Sequence, residues 1–358
     1  MNRHHYGLIL AGGRGTRFWP LSRKRSAKQV LNVVGDRSLI QATVDRLAPI
    51  IPPERLWVLT NSHLRDVIVA QLPEIPRRQI LAEPAQRNTA PAIGLAAQIL
   101  HSLDPEAVMG VFPSDHVVGK DPAYRAVVRA ALSAASAGKL MLVGIQPRWP
   151  ETGYGYVEFP PGTTPGTKGP RKVLRFHEKP RLPKAKRYLA AGNFYWNSGM
   201  FFWRAGVLLD ELRRHLPKTA TVLAALPPFQ SRVFAQRLAK AFPLCDNISI
   251  DFAVLEKAGN VEGIAASDFG WNDVGSWNAV YQLMGRDVCG NVVANDSVCL
   301  DAHDNFVDAR GKMVALLGVK DLIVVDTPDA LLVATRDRAQ QVGEVVKALE
   351  KSDRQDLL

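Results

Sequence analysis

Gly12-Gly13-Arg14-Gly15 follows a short apolar run, Tyr6–Ala11, and leads into Thr16-Arg17 and then Lys28. Glycines let backbone N–H groups approach anionic oxygens and reach backbone angles that side chains disfavour. Arg14, Arg17 and Lys28 would add charge-assisted hydrogen bonds to the same oxygens. GxxxxGK[ST] is absent, so the loop is not a P-loop. Phe18 stands where a dinucleotide fingerprint needs its third glycine. Two aspartates, Asp115 and Asp273, sit at or after apolar or aromatic runs in different segments. A hard cation such as Mg²⁺ is commonly held by one or two carboxylates together with phosphates and water. A single loop aspartate is more often a turn or cap residue, so the pair qualifies only if the fold brings them together. Glu178 is an isolated acid among bases, suited to hydroxyl groups or to a surface ion pair worth ~0–1 kcal/mol. Asn197 both donates and accepts, as polyols require. His116 suits a local hydrogen bond, and Trp196, Trp271 and Trp277 suit walls and core.

The charge distribution agrees with small-anion chemistry. The 358 residues carry 45 Lys+Arg against 34 Asp+Glu, a formal +11. Met1–Gly35 holds seven bases and no acid, and Arg171–Arg187 holds eight bases and Glu178. These segments contribute +7 each, leaving the rest at −3. Two local clusters fit anion sites better than a nucleic-acid stripe, and no nucleic-acid motif is present. No apolar run approaches the ~18 residues that span a bilayer, and the apolar start is too short for a signal peptide. Cys245, Cys289 and Cys299 form no CxxC or metal spacing, which predicts a cytoplasmic protein with packing thiols.

Buried strands and helices must position these residues. Gly7–Leu10, Leu56–Leu59, Val108–Phe112 and Leu140–Ile145 read as strands covered on both faces. Helical spacing falls at Leu39–Leu47, Val67–Leu72, Ala90–Leu100, Tyr124–Ala137, Lys184–Ala191, Gly206–His215 and Ser231–Ala241. The alternation predicts a parallel α/β sheet whose ligands lie beyond the strand C-termini. After about Leu283, strand candidates recur every eight or so residues: Asn291–Ala294, Val298–Leu300, Phe306–Asp308, Met313–Leu317, Leu322–Val325 and Ala330–Val333. They predict a small all-β unit closed by a helix, Arg338–Leu349. The expected domains are 1–283 and 284–358.

The loop Leu10–Pro20 with Lys28 resembles the signature of sugar-phosphate nucleotidyltransferases. Further motifs follow in family order over roughly residues 7–280. Glu83-Pro84-Ala85-Gln86-Arg87-Asn88-Thr89-Ala90-Pro91 is similar to the purine-nucleotide segment of mannose-1-phosphate guanylyltransferases. Phe112-Pro113-Ser114-Asp115-His116 is similar to a strand end supplying a metal-binding Asp. Glu151–Tyr156 resembles the sugar-side glycine loop, and Phe176-His177-Glu178-Lys179-Pro180 the FxEKP motif. Trp196–Phe201 and Trp271–Trp277 complete the set. One departure is Ala27 where the family usually has proline before the lysine. Proline there would lower the unfolded chain's entropy, an effect of about 0.4–1 kcal/mol.

The resemblance implies a Rossmann-like, mostly parallel mixed sheet sandwiched by helices, with a small C-terminal left-handed β-helix-like domain. It implies GMP transfer from GTP to α-D-mannose 1-phosphate by direct attack on the α-phosphorus, with Mg²⁺ and no covalent intermediate. Ala11, Gly12, Gly13, Arg14, Gly15, Thr16, Glu83, Arg87, Asn88 and Thr89 would bind GTP. Gly153, Tyr154, Glu178, Lys179 and Asn197 would bind mannose 1-phosphate. Asp115 and Asp273 would hold Mg²⁺, and with Arg17 and Lys28 form the catalytic set. A homodimer through the C-terminal domain is expected. The extra length of relatives with a cupin-type isomerase domain is missing, so no isomerase activity is expected. Alternatives are another hexose 1-phosphate or nucleotide, an inactive regulatory paralogue, or a nucleic-acid binder.

Overall fold

Apolar strands need partners at both edges and cover on both faces. The computed structural model, described for residues 2–293 and 296–358, provides both. The first strands are β1 (His5–Ala11), β2 (Leu56–Asn61), β3 (Ile80–Glu83), β4 (Val108–Pro113), β5 (Val117–Val118) and β6 (Leu140–Ile145). Then come β7 (Tyr156–Glu158), β8 (Arg171–Lys172), β9 (Arg175–His177), β10 (Phe194–Arg204), β11 (Val261–Ala265) and β12 (Trp271–Asn272). Ten of them form one sheet in the order β3-β2-β1-β4-β10-β6-β11-β8, with β7 on β10 and β9 on β7. Strands β1 to β4 are parallel: Leu8 lies between Trp57 and Val111, and Leu10 between Leu59 and Pro113. All four C-termini therefore open on one edge of the sheet, where α/β folds place ligands.

The sheet is mixed because β10 runs antiparallel between β4 and β6. Periodicity alone does not mark this strand. Its aromatic run, Phe194-Tyr195-Trp196 and Phe201-Phe202-Trp203, is interrupted by Asn197-Ser198-Gly199. The interruption is a shift of register between Asn197 and Phe201, with Gly199 at φ +70°. Bulges re-aim side chains beside functional sites, and here the re-aimed residue is Asn197.

Helices cover both faces. Thr89–Leu103 and Ala205–His215 pack on one side with Phe234–Ala241; Leu39–Leu47, Arg65–Gln71 and Asp121–Ala135 pack on the other. The helix Leu39–Leu47 starts with a capping box, Ser38 and Gln41 exchanging side-chain-to-backbone hydrogen bonds. Pro122 sits in the first turn of Asp121–Ala135, where its missing N–H costs nothing. Helix Pro217–Ala224 carries only two turns and is too short to show a clear period. No helix among the described residues is long and apolar enough to cross a membrane.

The C-terminal strands are β13 (Val292–Val293), β14 (Ser297–Leu300), β15 (Phe306–Asp308), β16 (Val314–Leu317), β17 (Leu322–Asp326) and β18 (Leu331–Thr335). Of the expected strand Asn291–Ala294, Ala294 lies outside the described residues. Parallel stacks β13-β15-β17 and β14-β16 make a β-helix-like coil, and β18 turns back antiparallel to β17. A ladder of buried amides holds the coil. Asn305 donates through its backbone N–H to the Asn291 side chain at 3.1 Å, and Leu322 N–H donates to the Asn305 side chain at 2.9 Å. The closing segment is a 3₁₀ stretch, Arg336–Gln341, followed by helix Val342–Lys351.

One core joins this coil to the glycine loop. Phe18 and Trp19 pack with Val274, Trp277, Tyr281, Phe306, Ile323 and Val342. The Trp277 ring lies 5.0 Å from Phe18 and 5.6 Å from Phe306, centroid to centroid. Its indole N–H donates to the Trp19 carbonyl at 3.1 Å. Trp277→Ala is expected to destabilise the protein by about 3–5 kcal/mol in denaturant unfolding, through the cavity it leaves.

Candidate active site

Strand β1 ends at Ala11, whose carbonyl accepts from Gln29 Nε2 at 2.7 Å and Thr60 Oγ1 at 2.9 Å. Gln29 also reaches the Gly13 carbonyl, and Ser22 Oγ donates to the Gly15 carbonyl. With carbonyls engaged by side chains behind the loop, its shape is set before any ligand arrives. Gly15 has φ +61°, and a Cβ there would lie 2.6 Å from Lys28 Cβ and 2.9 Å from Lys28 N. The glycine is thus what allows Lys28 to lie under the loop.

Lys28 is 5% exposed. Its ammonium donates to Asp115 Oδ2 at 2.9 Å and to the Asp273 carbonyl at 2.6 Å. Burial, the largest single effect, pushes the Asp115 carboxyl up, but the Lys28 charge, joined by the neighbouring His116, the Lys28 hydrogen bond and its own backbone N–H, holds it below the ordinary range. The two aspartates, 158 positions apart in sequence, line one cavity of about 250 Å³ with Gly15, Arg17 and Lys28. Arg17 donates to the Gly275 carbonyl at 2.9 Å. His116 accepts from Trp271 Nε1 at 3.2 Å through Nδ1, and burial lowers its pKa, so it is a neutral structural residue. Two hard carboxylates in one cavity open to phosphate suit Mg²⁺, which rarely uses an all-protein cage. Among the described residues no three His, Cys, Asp or Glu form such a cage.

A larger cleft of about 910 Å³ opens beside this cavity, lined by Gly12, Gly13, Arg14, Glu83, Asn88 and Thr89 among others. Thr16 lines the aspartate cavity instead. Asn88 adopts φ +62° and accepts the Thr89 N–H, capping the helix Thr89–Leu103. Arg87 points away from the cleft. Its guanidinium is engaged by the Pro243 carbonyl, with Nε at 2.9 Å, and the residue does not line the cleft. Arg14 is ion-paired at 2.8 Å with Glu350 of the last helix, a contact across 336 residues that no local pattern announces. Asn247 and Glu350 also line the cleft, and no motif in the sequence marks either of them.

Glu178, Lys179 and Asn197 come together around Gly155. A Cβ on Gly155 would fall 2.7 Å from Glu178 Oε2, so this glycine, more than Gly153, admits the carboxylate. Asn197 N–H donates to the Gly155 carbonyl at 2.8 Å. Lys179 stands at φ +40° and is ion-paired with Glu178. Gly153 N–H donates to Glu151 Oε1. Tyr154 ties this loop to the aspartate cavity by donating its hydroxyl to Asp273 Oδ1, and burial together with Asp273 raises its pKa far up.

Glu83 has an unusual environment. Burial without a cation pushes its carboxyl up to about 7 from 4.5. Below the unfolded value both states hold the proton and Glu83 has no effect. Between 4.5 and 7 the folded state retains the proton, so stability falls as pH rises, and above 7 the loss is constant. Glu83→Gln is expected to stabilise the ligand-free protein at pH 8 by up to about 3 kcal/mol and to change little at pH 4. Urea unfolding at the two pH values checks this.

Residues 6–288 match the family model described as nucleotidyl transferase, and residues 295–349 match one described as a MannoseP isomerase/GMP-like beta-helix domain. A mannose-1-phosphate guanylyltransferase of Escherichia coli K12 is 39% identical over 98% of this chain and 74% of its own length. The xanthan biosynthesis protein XanB of Xanthomonas campestris pv. campestris B100 is 40% identical over 98% of this chain and 74% of its own. A crystal structure from Thermus thermophilus, described as a mannose-1-phosphate geranyltransferase, aligns with a TM-score of 0.85 at 35% identity. The alignment covers 97% of this chain and 99% of that one.

Proposed function

We infer, for a chain that belongs to the nucleotidyl transferase family, that it transfers GMP from GTP to α-D-mannose 1-phosphate, giving GDP-mannose and pyrophosphate. The observation that carries this reading is the shared edge: glycine loop, Lys28, Asp115 and Asp273 meet in one cavity, and Tyr154 joins it to the Gly155–Glu178–Asn197 group. The nucleophile is a phosphate oxygen that is already anionic, so no serine, cysteine or histidine has to be activated. The protein's task is to align two phosphorylated substrates and neutralise their charge.

In this reading Ala11–Thr16 present backbone N–H groups to the triphosphate, and Arg14, Arg17 and Lys28 offer charge to it. Glu83, Asn88 and Thr89 face the nucleoside in the larger cleft. A carboxylate there can accept from the N1–H and amino group of guanine, a donor pair that adenine lacks. Arg87 supports this segment from behind. Gly153, Tyr154, Glu178, Lys179 and Asn197 hold the sugar phosphate. Asp115 and Asp273 would hold Mg²⁺. That ion supplies Lewis-acid neutralisation of phosphate charge. Lys28 balances the Asp115 carboxylate in the free protein and can turn its remaining donor to phosphate oxygen. We place the domain division at Leu283, where the helix Trp277–Leu283 ends, and the protein in the cytoplasm.

A pyrophosphate-release assay over GTP, ATP, dTTP and UTP with several hexose 1-phosphates tests the reaction. Release is expected with GTP and mannose 1-phosphate in the presence of Mg²⁺. Lys28→Met, which keeps the buried stem, should lower kcat by about 100-fold or more. Equal rates with all four nucleotides, or near-normal turnover of the variant, would overturn the assignment.

The C-terminal coil is the proposed dimer surface. Val298 and Leu300 of β14 pair with Ala315 and Leu317 of β16, and Val298, Leu300 and Leu317 are 47%, 58% and 73% exposed. An apolar face of this kind marks an interaction surface. Leu300→Lys combined with Leu317→Lys is expected to convert a sedimenting dimer to a monomer.

A further inference from the structure

Asp251 begins a single π-helical turn, Asp251–Leu255, a rare geometry that concentrates at functional sites. Its Oδ1 accepts from Asn197 Nδ2 at 3.0 Å. The other end of that amide is also fixed, because Asn197 Oδ1 accepts the Gly199 N–H at 3.1 Å. The orientation of Asn197 is therefore settled by the bulge of β10 on one side and by Asp251 on the other. Only one amide hydrogen of Asn197 is left for a ligand.

The charges around Asp251 do not balance within the protein. Glu178 is the charged neighbour that acts on it most, and Lys179, the cation that faces it, is ion-paired with Glu178. Two carboxylates thus share one lysine. Burial and Glu178 push the Asp251 carboxyl up to about 6, while its own N–H and the Ser249 hydroxyl pull the other way. A carboxylate so placed gains from additional neutral donors. Sugar hydroxyls are such donors, and they carry no charge that would compete with Lys179 for the phosphate.

The turn is held in register with the nucleotide segment as well. Ile250 N–H donates to Thr89 Oγ1 at 2.9 Å, and Ala90 N–H donates to the Ile248 carbonyl at 3.1 Å. Residues 248–251 therefore bridge the helix that opens at the nucleoside cleft and the amide that opens at the sugar side.

The geometry points to Asp251 as a hexose-binding residue, a second acceptor beside Glu178 that reads hydroxyls of the sugar 1-phosphate and fixes the Asn197 amide for the same purpose. This rests on the proposed sugar-phosphate side of the reaction. Glu178 alone offers one carboxylate to a polyol. Glu178 and Asp251 together offer two, with Asn197 between them, which suits a ring bearing several hydroxyls in fixed directions.

Asp251→Asn should raise KM for mannose 1-phosphate by about tenfold or more while KM for GTP stays within about twofold, since losing a charged acceptor removes a strong hydrogen bond. Hydrogen exchange of the unaltered protein supplies a measurement free of folding effects. Mannose 1-phosphate alone should slow exchange in residues 248–256, whereas inorganic phosphate alone should not. An unchanged KM for mannose 1-phosphate, or no protection of residues 248–256 by it, overturns the assignment. Pyrophosphate release by the unaltered protein, measured alongside, reports on the reaction itself, so failure of one conclusion is told apart from failure of the other.

Discussion

A buried ammonium holds the catalytic end of the molecule together. Lys28 reaches from beneath the glycine loop to the Asp115 side chain and the Asp273 backbone, three segments far apart in the chain. Desolvating a lysine is costly unless its donors are matched, and removing either partner of a buried pair typically costs about 3–5 kcal/mol. The consequence is geometric. Gly15 must have no side chain, the end of β4 must deliver a carboxylate, and the segment after β12 must turn its Asp273 carbonyl inward. Val274, the next residue, adopts φ +46°, an uncommon backbone state for a β-branched side chain and one held here by its neighbours.

From that point the two substrate sides diverge. On the proposed nucleotide side stand backbone donors, cations and one carboxylate of high proton affinity, Glu83. On the proposed sugar side stand two carboxylate acceptors, Glu178 and Asp251, with the remaining donor of the Asn197 amide between them. Tyr154 spans the divide with one hydroxyl on Asp273. The division of labour follows the chemistry of the partners, since phosphates offer acceptors and hydroxyls offer donors. The +11 charge then has a local meaning. Arg23 of the first basic cluster pairs with Asp329 of the C-terminal region, and Lys24, which lines the cleft, also reaches Gln355 there, so part of that cluster fastens the fold.

Strands β1, β2, β4 and β6 are legible in the sequence because strands covered on both faces are continuously apolar, whereas β3, four residues long and only partly buried over its last three, is not. Strand β10 is hidden there, since its aromatic residues alternate around a polar bulge and its antiparallel insertion depends on tertiary pairing. Strands β7, β8 and β9, two or three residues each, are too short to show a period. At the site, contiguous motifs stand out: Gly12–Gly15 with Lys28, then Asp115, Glu178-Lys179 and Asp273. What stays unseen are relations between motifs. The Tyr154–Asp273, Asn197–Asp251 and Arg14–Glu350 contacts cross 119, 54 and 336 residues and leave no local trace. Arg87, in turn, stands inside a strong motif yet is engaged by Pro243. A motif names residue types at a place, but only packing decides which way a long side chain points.

The C-terminal coil shares its core with Phe18 and Trp19, and the Trp19 indole donates to the Leu357 carbonyl, next to the last residue. The glycine loop, already held by Gln29, Thr60 and Ser22, is therefore anchored to the coil as well. Phe18 and Trp19 share their core with Val33, Leu39 and Trp277 as well as with Phe306, Ile323 and Val342 of the coil and its closing helix. Two units that look separable along the chain are thus coupled through a shared core, and loosening of the tail is expected to loosen the glycine loop while the cores on the two faces of the main sheet persist.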